Sequence, residues 1–168
     1  MRLNEYFDRV SLRLPTRSAI YVKSRYYTYG EVSRYAKHLT RLIEEHDPAP
    51  TIYFGGIVCD KSVECYVAML GILGSRKGYV PFNIRTPVTR NKIILERSRV
   101  RILVGDPECE ELLRKLVADL ELPLLVFLCG YQRIPSWCKG DSCRQHTFII
   151  PNLHDQLPDT KFNDRSPG

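Results

Sequence analysis

Short β-rich runs alternate with helical repeats along most of this chain, and no other feature restricts its fold as strongly. Ala19-Ile20-Tyr21-Val22 and Tyr26-Tyr27-Thr28-Tyr29 are β-rich and flank Lys23-Ser24-Arg25, the spacing of a hairpin. The period then changes. Val32, Tyr35, Ala36, Leu39, Leu42 and Ile43 recur at helical spacing, which predicts an amphipathic helix over Gly30 to Glu45. Thr28 and Glu31 have capping-box spacing at its start, and Asp47-Pro48-Ala49-Pro50 ends it. Thr51 to Val58 reads as a buried strand, and Val63, Tyr66, Val67, Leu70 and Leu73 mark a second helix with Asp60 as its expected N-cap. Tyr79-Val80-Pro81-Phe82 is a short strand; Pro81 cannot donate to a ladder, which argues for a sheet edge or a strand end. Pro87 suits a helix start, with Ile93, Ile94 and Arg97 following on that helix. Arg101 to Val104 is the next strand, Leu112 to Leu120 the fourth helix, and Leu124 to Leu128 a further apolar strand. A hairpin followed by four such α-β repeats implies an α/β fold: a mainly parallel sheet flanked by helices, with right-handed crossovers.

The alternation fades after Cys129. Residues 130–168 are rich in Pro, Asn, Asp, Ser and Gly, and only Thr147 to Ile150 resembles a strand. They read as a linker or an incomplete, weakly structured tail behind a lobe of residues 1–129. With 168 residues, 43% hydrophobic and 26% charged, the chain can build one core, and a largely disordered chain is excluded. No apolar run is long enough for a transmembrane helix, and the N-terminus enters no apolar stretch of the secretory kind. A cytoplasmic location is therefore expected. The net charge of +6 is uneven: residues 61–101 hold nine basic and two acidic groups, whereas 102–129 hold two basic and six acidic. Without aromatic interleaving or a nucleic-acid module, this reads as solvated faces, and no nucleic-acid partner is expected.

Little in the residues points to chemistry. There is no Gly-x-Gly-x-x-Gly and no phosphate loop of the Gly-x-x-x-x-Gly-Lys-Ser/Thr kind. Gly55-Gly56 lies inside an apolar run, and Gly71 and Gly74 lie one turn apart on a helix, where close packing explains them. His38, His46, His146 and His154 are scattered, and no nucleophile elbow accompanies them. Cys138, Cys143 and His146, with Cys129 upstream, are the nearest approach to a metal set, but their intervals are irregular and no Cys-x-x-Cys is present. Glu110-Glu111 at a helix start is favoured by the helix dipole. Buried free thiols are the expectation for Cys59, Cys65 and Cys129. No catalytic, cofactor-binding or metal-binding residue is assigned.

One segment carries more information. Leu70-Gly71-Ile72-Leu73-Gly74-Ser75-Arg76-Lys77-Gly78-Tyr79-Val80-Pro81-Phe82-Asn83-Ile84-Arg85-Thr86-Pro87 resembles the early core motif of the AMP-dependent synthetase/ligase superfamily. Within it, the closest likeness is to amino-acid adenylation domains of nonribosomal peptide synthetases, whose pattern is roughly Leu-x-Ile-Leu-Lys-Ala-Gly-x-x-Tyr-Val-Pro-Leu-Asp-Pro-x-x-Pro. Tyr79-Val80-Pro81 and Pro87 match; Asn83 stands where the pattern has Asp, and Ile84 where it has the first Pro. Collinear pieces flank it: Leu3 to Phe7 resembles the family's opening helix, Ala19 to Val22 and Tyr27 to Val32 its hairpin and Thr-Tyr-x-Glu-Leu segment, and Arg101 to Asp106 the strand that follows. The resemblance covers about residues 3 to 128.

It implies the N-terminal lobe of an adenylation-domain fold. Family members activate a carboxylate, amino or fatty acid, with ATP and magnesium as an acyl-adenylate, and many pass the acyl group to a carrier protein's thiol. The matched motifs are scaffold. The family's phosphate loop, ribose-binding aspartate and catalytic lysine have no match in this chain, so 168 residues alone are expected to be inactive and to need no cofactor themselves. The implied partners are the rest of an adenylation domain or a carrier protein. The residues also leave two other readings open: a non-catalytic α/β interaction domain, or a nucleotide-binding α/β domain of another family.

Overall fold

Lys23 and Ser24 both adopt left-handed backbone (φ 48° and 60°), the conformation with which a two-residue turn joins two twisted strands. In the computed structural model, which describes residues 3–153, this turn links β1 (Ser18–Val22) to β2 (Arg25–Thr28) as an antiparallel pair. Helix α1 (Leu3–Arg13) precedes the hairpin, and its Phe7 ring packs 5.5 Å from that of Tyr29. Helix α2 (Tyr29–His46) starts at the expected capping box. The Glu31 N–H donates to Thr28 Oγ1 at 3.2 Å, and the Thr28 N–H donates to the Glu31 carboxylate at 2.7 Å.

The rest alternates as β3 (Phe54–Val58), α3 (Val63–Gly74), β4 (Gly78–Pro81), α4 (Val88–Ser98), β5 (Ile102–Gly105), α5 (Glu110–Val117), β6 (Leu125–Leu128) and β7 (Thr147–Ile149). All five of these strands run parallel, in the order β4-β3-β5-β6-β7. Pro81 sits on the edge strand β4, where its missing N–H costs no ladder bond.

Strand alternation builds two cores. Ile57, Ile102, Val104, Leu125 and Phe127 face α2 and α3, packing with Leu39, Ile43 and Ile72. Val58, Leu103, Val126 and Leu128 face the other way, against Leu95 of α4 and Leu113 and Leu116 of α5. A strand covered on both faces reads as a continuous apolar run, which is why these segments show no alternation in sequence.

Two details differ from the sequence reading. Asp60 is not the N-cap of α3. Ser62 is, its Oγ accepting from the Cys65 N–H at 3.2 Å, because Lys61 takes a left-handed conformation (φ 45°) that delays the helix. Residues 130–153, read as the start of a linker or weakly structured tail, carry two short 3-10 turns and then β7, which pairs with β6. Tyr131, Cys138 and Cys143 are buried in the second core, and the His38 Nε2–H donates to the Pro151 carbonyl at 2.8 Å. Those contacts come from distant segments, so local composition does not announce them. His154 and the rest of the stretch read as tail lie outside the described residues.

Candidate functional site

Open parallel sheets bind ligands beyond the carboxyl ends of their strands, where successive crossovers part in opposite directions. Here the chain leaves β3 for β4 on one side and then enters β5 on the other, so that point lies between β3 and β5. The segments there are Cys59-Asp60-Lys61-Ser62 after β3 and Asp106 after β5.

Asp106 is fully buried and holds this junction together. Its carboxylate accepts from the Ser62 hydroxyl at 2.6 Å, the Asp60 N–H at 3.3 Å and the Cys109 N–H at 3.1 Å. Its carbonyl accepts from the Tyr131 hydroxyl at 3.3 Å. Burial pushes the Asp106 carboxyl above its ordinary range, against the opposing pull of the Ser62 hydroxyl and the two amides. With both oxygens engaged internally, this acid clamps two loops.

Four thiols surround the clamp. Cys109 and Cys129 are buried, Cys59 and Cys65 half-buried, and all are free. Burial pushes the Cys109 thiol up to about 12 and raises Cys59 and Cys129 well above the ordinary thiol range. A thiol held protonated is a poor nucleophile, and these side chains pack as small apolar groups.

Cys138, Cys143 and His146 sit in folded backbone, buried. His146 spends both ring nitrogens on the protein: Nε2–H donates to the Val117 carbonyl at 2.9 Å and Nδ1 accepts from the Leu124 N–H at 3.1 Å. It has no nitrogen left for a metal. Among the described residues no group of three or more His, Cys, Asp or Glu side chains is arranged to hold an ion. His46 accordingly caps its own helix, its Nδ1 lying 2.9 Å from the Leu42 carbonyl.

Two glycine pairs serve packing. Gly55 and Gly56 are inside β3, where an added Cβ would run into Ile72 or into Phe82. Gly71 and Gly74 face α2 rather than a phosphate, since a Cβ on Gly71 would come 2.9 Å from Leu39. Sequence reasoning singled out neither Asp106 nor Ser62. The one available signal was a buried-looking strand ending in an acid, Val104-Gly105-Asp106.

The described residues line several clefts. One of about 290 Å³ lies at the carboxyl ends of β3 and β4, floored by Ile57, Met69, Tyr79 and Phe82. Another, of about 750 Å³, is lined by Pro107, Glu110, Tyr131 and Trp137. A third, about 340 Å³ and mostly apolar, lies between α1, β1 and α3 and is lined by Phe7, Val10, Ile20, Tyr66 and Leu73.

No family model matches the chain. Among curated proteins, it is 29% identical over 123 residues to Tyrocidine synthase 1 of Brevibacillus parabrevis, covering 73% of this chain and 11% of that protein. It is 28% identical over 135 residues to Surfactin synthase subunit 2 of Bacillus subtilis, covering 79% and 4%. The chain thus spans a small part of the relatives it matches. Among solved structures, a nonribosomal peptide synthetase, FmoA3, with alpha-methyl-L-serine-AMP bound superimposes with a TM-score of 0.61 at 26% identity, over 66% of this chain and 12% of that one. The Vibrio cholerae adenylation domain AlmE, in complex with glycyl-adenosine-5'-phosphate, superimposes with a TM-score of 0.74 over 88% of this chain and 27% of its own; at 18% identity it speaks for the fold.

Proposed function

We propose that this chain serves as the N-terminal lobe of an adenylate-forming unit of the AMP-dependent synthetase/ligase superfamily, a reading supported by its likeness to Tyrocidine synthase 1 and to the nonribosomal peptide synthetase FmoA3. In such a unit a carboxylate, amino or fatty acid, is activated with ATP and magnesium, and the acyl group passes to a carrier protein. The observation that carries this reading is the collinear match from the hairpin through Tyr79-Val80-Pro81 to Asp106, on strands and helices in the expected order. These residues build a sheet. Adenylyl transfer needs positioned charges and a metal. The 168 residues by themselves are expected to form no adenylate. A cytoplasmic setting fits this reading, and no helix among the described residues is long and apolar enough to cross a membrane.

Two measurements test it. A chimera in which residues 3–128 replace the matching segment of the Tyrocidine synthase 1 adenylation domain is expected to fold and to retain ATP–pyrophosphate exchange. A folded chimera without exchange counts against the lobe assignment. The 168-residue chain alone, supplied with magnesium and a panel of amino and fatty acids, is expected to give no exchange. Exchange above background would overturn its inactivity.

One observation favours a second reading, a non-catalytic interaction domain. The apolar cleft beside α1 is rimmed by Leu3, Tyr6 and Tyr66, which stay 61%, 57% and 44% exposed. Exposed apolar clusters of this kind mark contact surfaces. A chain that stays monomeric and binds no protein through this face would remove that alternative.

A further inference from the structure

Helix α4 and its flanks carry cations that the rest of the chain leaves unpaired. Residues 85–101 hold six basic groups, five of them arginines, against Glu96 alone. Among the described residues none of those arginines forms an ion pair. On α2 and α5 such cations do find partners: Lys37 with Asp8, Arg41 with Glu45, and Lys115 with Glu111. The start of α4 is equally bare. The other described α-helices each have a carboxylate in the first turn, whereas α4 has none, and no side chain caps it at Pro87.

Helix geometry gathers part of this surplus on one strip. Thr89, Arg90, Ile93, Glu96 and Arg97 are the exposed positions of α4, while Asn91 and Leu95 are buried beneath. Residues advance by about 100° around a helix axis and about 1.5 Å along it, which puts Ile93 at the centre of the exposed strip. Arg90 and Arg97 fall on the same side of that centre, two turns and about 10 Å apart. Lys92 falls on the other side, toward α5, where its ammonium donates to the Ala118 carbonyl at 3.4 Å. Ile93 stays 49% exposed between the two arginines along the helix.

A complement to this strip needs two anions about 10 Å apart with an apolar group between them. A phosphate backbone supplies the anions and leaves Ile93 unmatched. A bilayer surface needs more apolar area than one half-exposed isoleucine offers. A helix lying antiparallel to α4 supplies all three groups: an acidic residue, an apolar residue four positions on, and a second acidic residue three further. No two carboxylates in this sequence lie seven residues apart, so a second copy does not provide that helix.

We propose that the outer face of α4 docks an acidic amphipathic helix of another protein, with carboxylates on Arg90 and Arg97 and an apolar side chain on Ile93. This surface does not depend on the adenylate-forming reading, since neither ATP nor an acyl substrate enters it. The test titrates the full 168-residue chain, labelled with nitrogen-15, with a capped helical peptide of alanine and glutamine that carries Glu, Leu and Glu at positions i, i+4 and i+7. The amides of Arg90, Ile93 and Arg97 are expected to shift saturably, with an affinity that falls as salt is added. Glutamine in place of both glutamates of the peptide is expected to weaken binding by about threefold or more, and so is the double variant Arg90→Gln with Arg97→Gln. Both arginines are exposed and unpaired, so that variant keeps the fold. Ile93→Ala is expected to weaken the peptide by about threefold and to leave binding of an oligothymidylate unchanged. Absence of saturable shifts at these amides, an affinity indifferent to the arginines or to Ile93, or tighter binding of oligothymidylate or of phosphatidylserine vesicles than of the peptide would each overturn the proposal.

Discussion

His146 shows how much a single side chain can settle. The Leu124 N–H requires a lone pair on Nδ1, and the Val117 carbonyl requires a proton on Nε2, so one neutral tautomer satisfies both. Burial lowers its pKa below the ordinary 6.5, against the upward pull of the Val117 carbonyl. The sign follows. Between the folded and unfolded pKa values the unfolded chain binds more protons, so the stability His146 confers is present above 6.5 and is lost as pH falls below it. Each unit of separation is about 1.4 kcal/mol. Urea midpoints measured from about pH 7 down to about pH 5 are expected to fall more steeply for the native chain than for His146→Gln, whose amide can both donate and accept without titrating. Equal slopes would show that the ring is not the titrating group.

At the scale of elements, the joint between α2 and α3 is made by two glycines. Gly71 and Gly74 lie one turn apart and admit Leu39 and Thr40 of α2; the Thr40 hydroxyl lies 2.9 Å from the Ala36 carbonyl and 3.0 Å from that of Gly71. Alanine at 71 would add a Cβ 2.9 Å from Leu39 Cδ2, closer than carbon atoms approach, so the helices must part or Leu39 must leave its rotamer. Gly71→Ala is expected to cost about 1–3 kcal/mol despite alanine's better helix propensity. A thermal melt showing a gain would mean that the joint is loose. The cap at the other end of α2 is local and weaker. Thr28→Ala removes the acceptor for the Glu31 N–H and is expected to cost about 1 kcal/mol in denaturant unfolding.

At the scale of the whole molecule, one buried ion pair ties the hinge after α2 to the edge of the sheet. Lys77 Nζ lies 2.8 Å from the Asp47 carboxylate, with the two side chains 6% and 9% exposed, and also donates to the Ile52 carbonyl at 2.6 Å. Both ends of the excursion from α2 through β3 to β4 are thereby joined. Lys77→Met strands a carboxylate in a poorly solvated place and is expected to cost about 3–5 kcal/mol. Adding Asp47→Leu is expected to recover much of that loss. A double variant no more stable than the single one would show that Lys77 acts through Ile52 instead.

Local rules were enough for much of this architecture. Apolar periodicity marked the helices, the Thr28–Glu31 spacing marked the start of α2, and Pro81 marked the edge of the sheet, because each depends on residues within a turn or two of one another. Asp106 and His146 were not legible in that way, and β7, although Thr147 to Ile150 resembles a strand, could not be placed in a sheet. Their partners lie 22 to 46 residues distant in sequence, and a short apolar run such as Thr147–Ile149 becomes a strand once Leu125 to Phe127 offers it a ladder. The carboxyl-end cleft belongs to the same class. Lys61 and Arg85 read as members of a basic stretch until the parallel pairing of β3 with β4 brings their loops to one cleft. Burial and capping act over a few residues, so the alternation of strand and helix is readable along the chain. A buried hydrogen bond is specified by two segments at once and neither carries its partner's position, so which polar groups meet follows from how the segments pack.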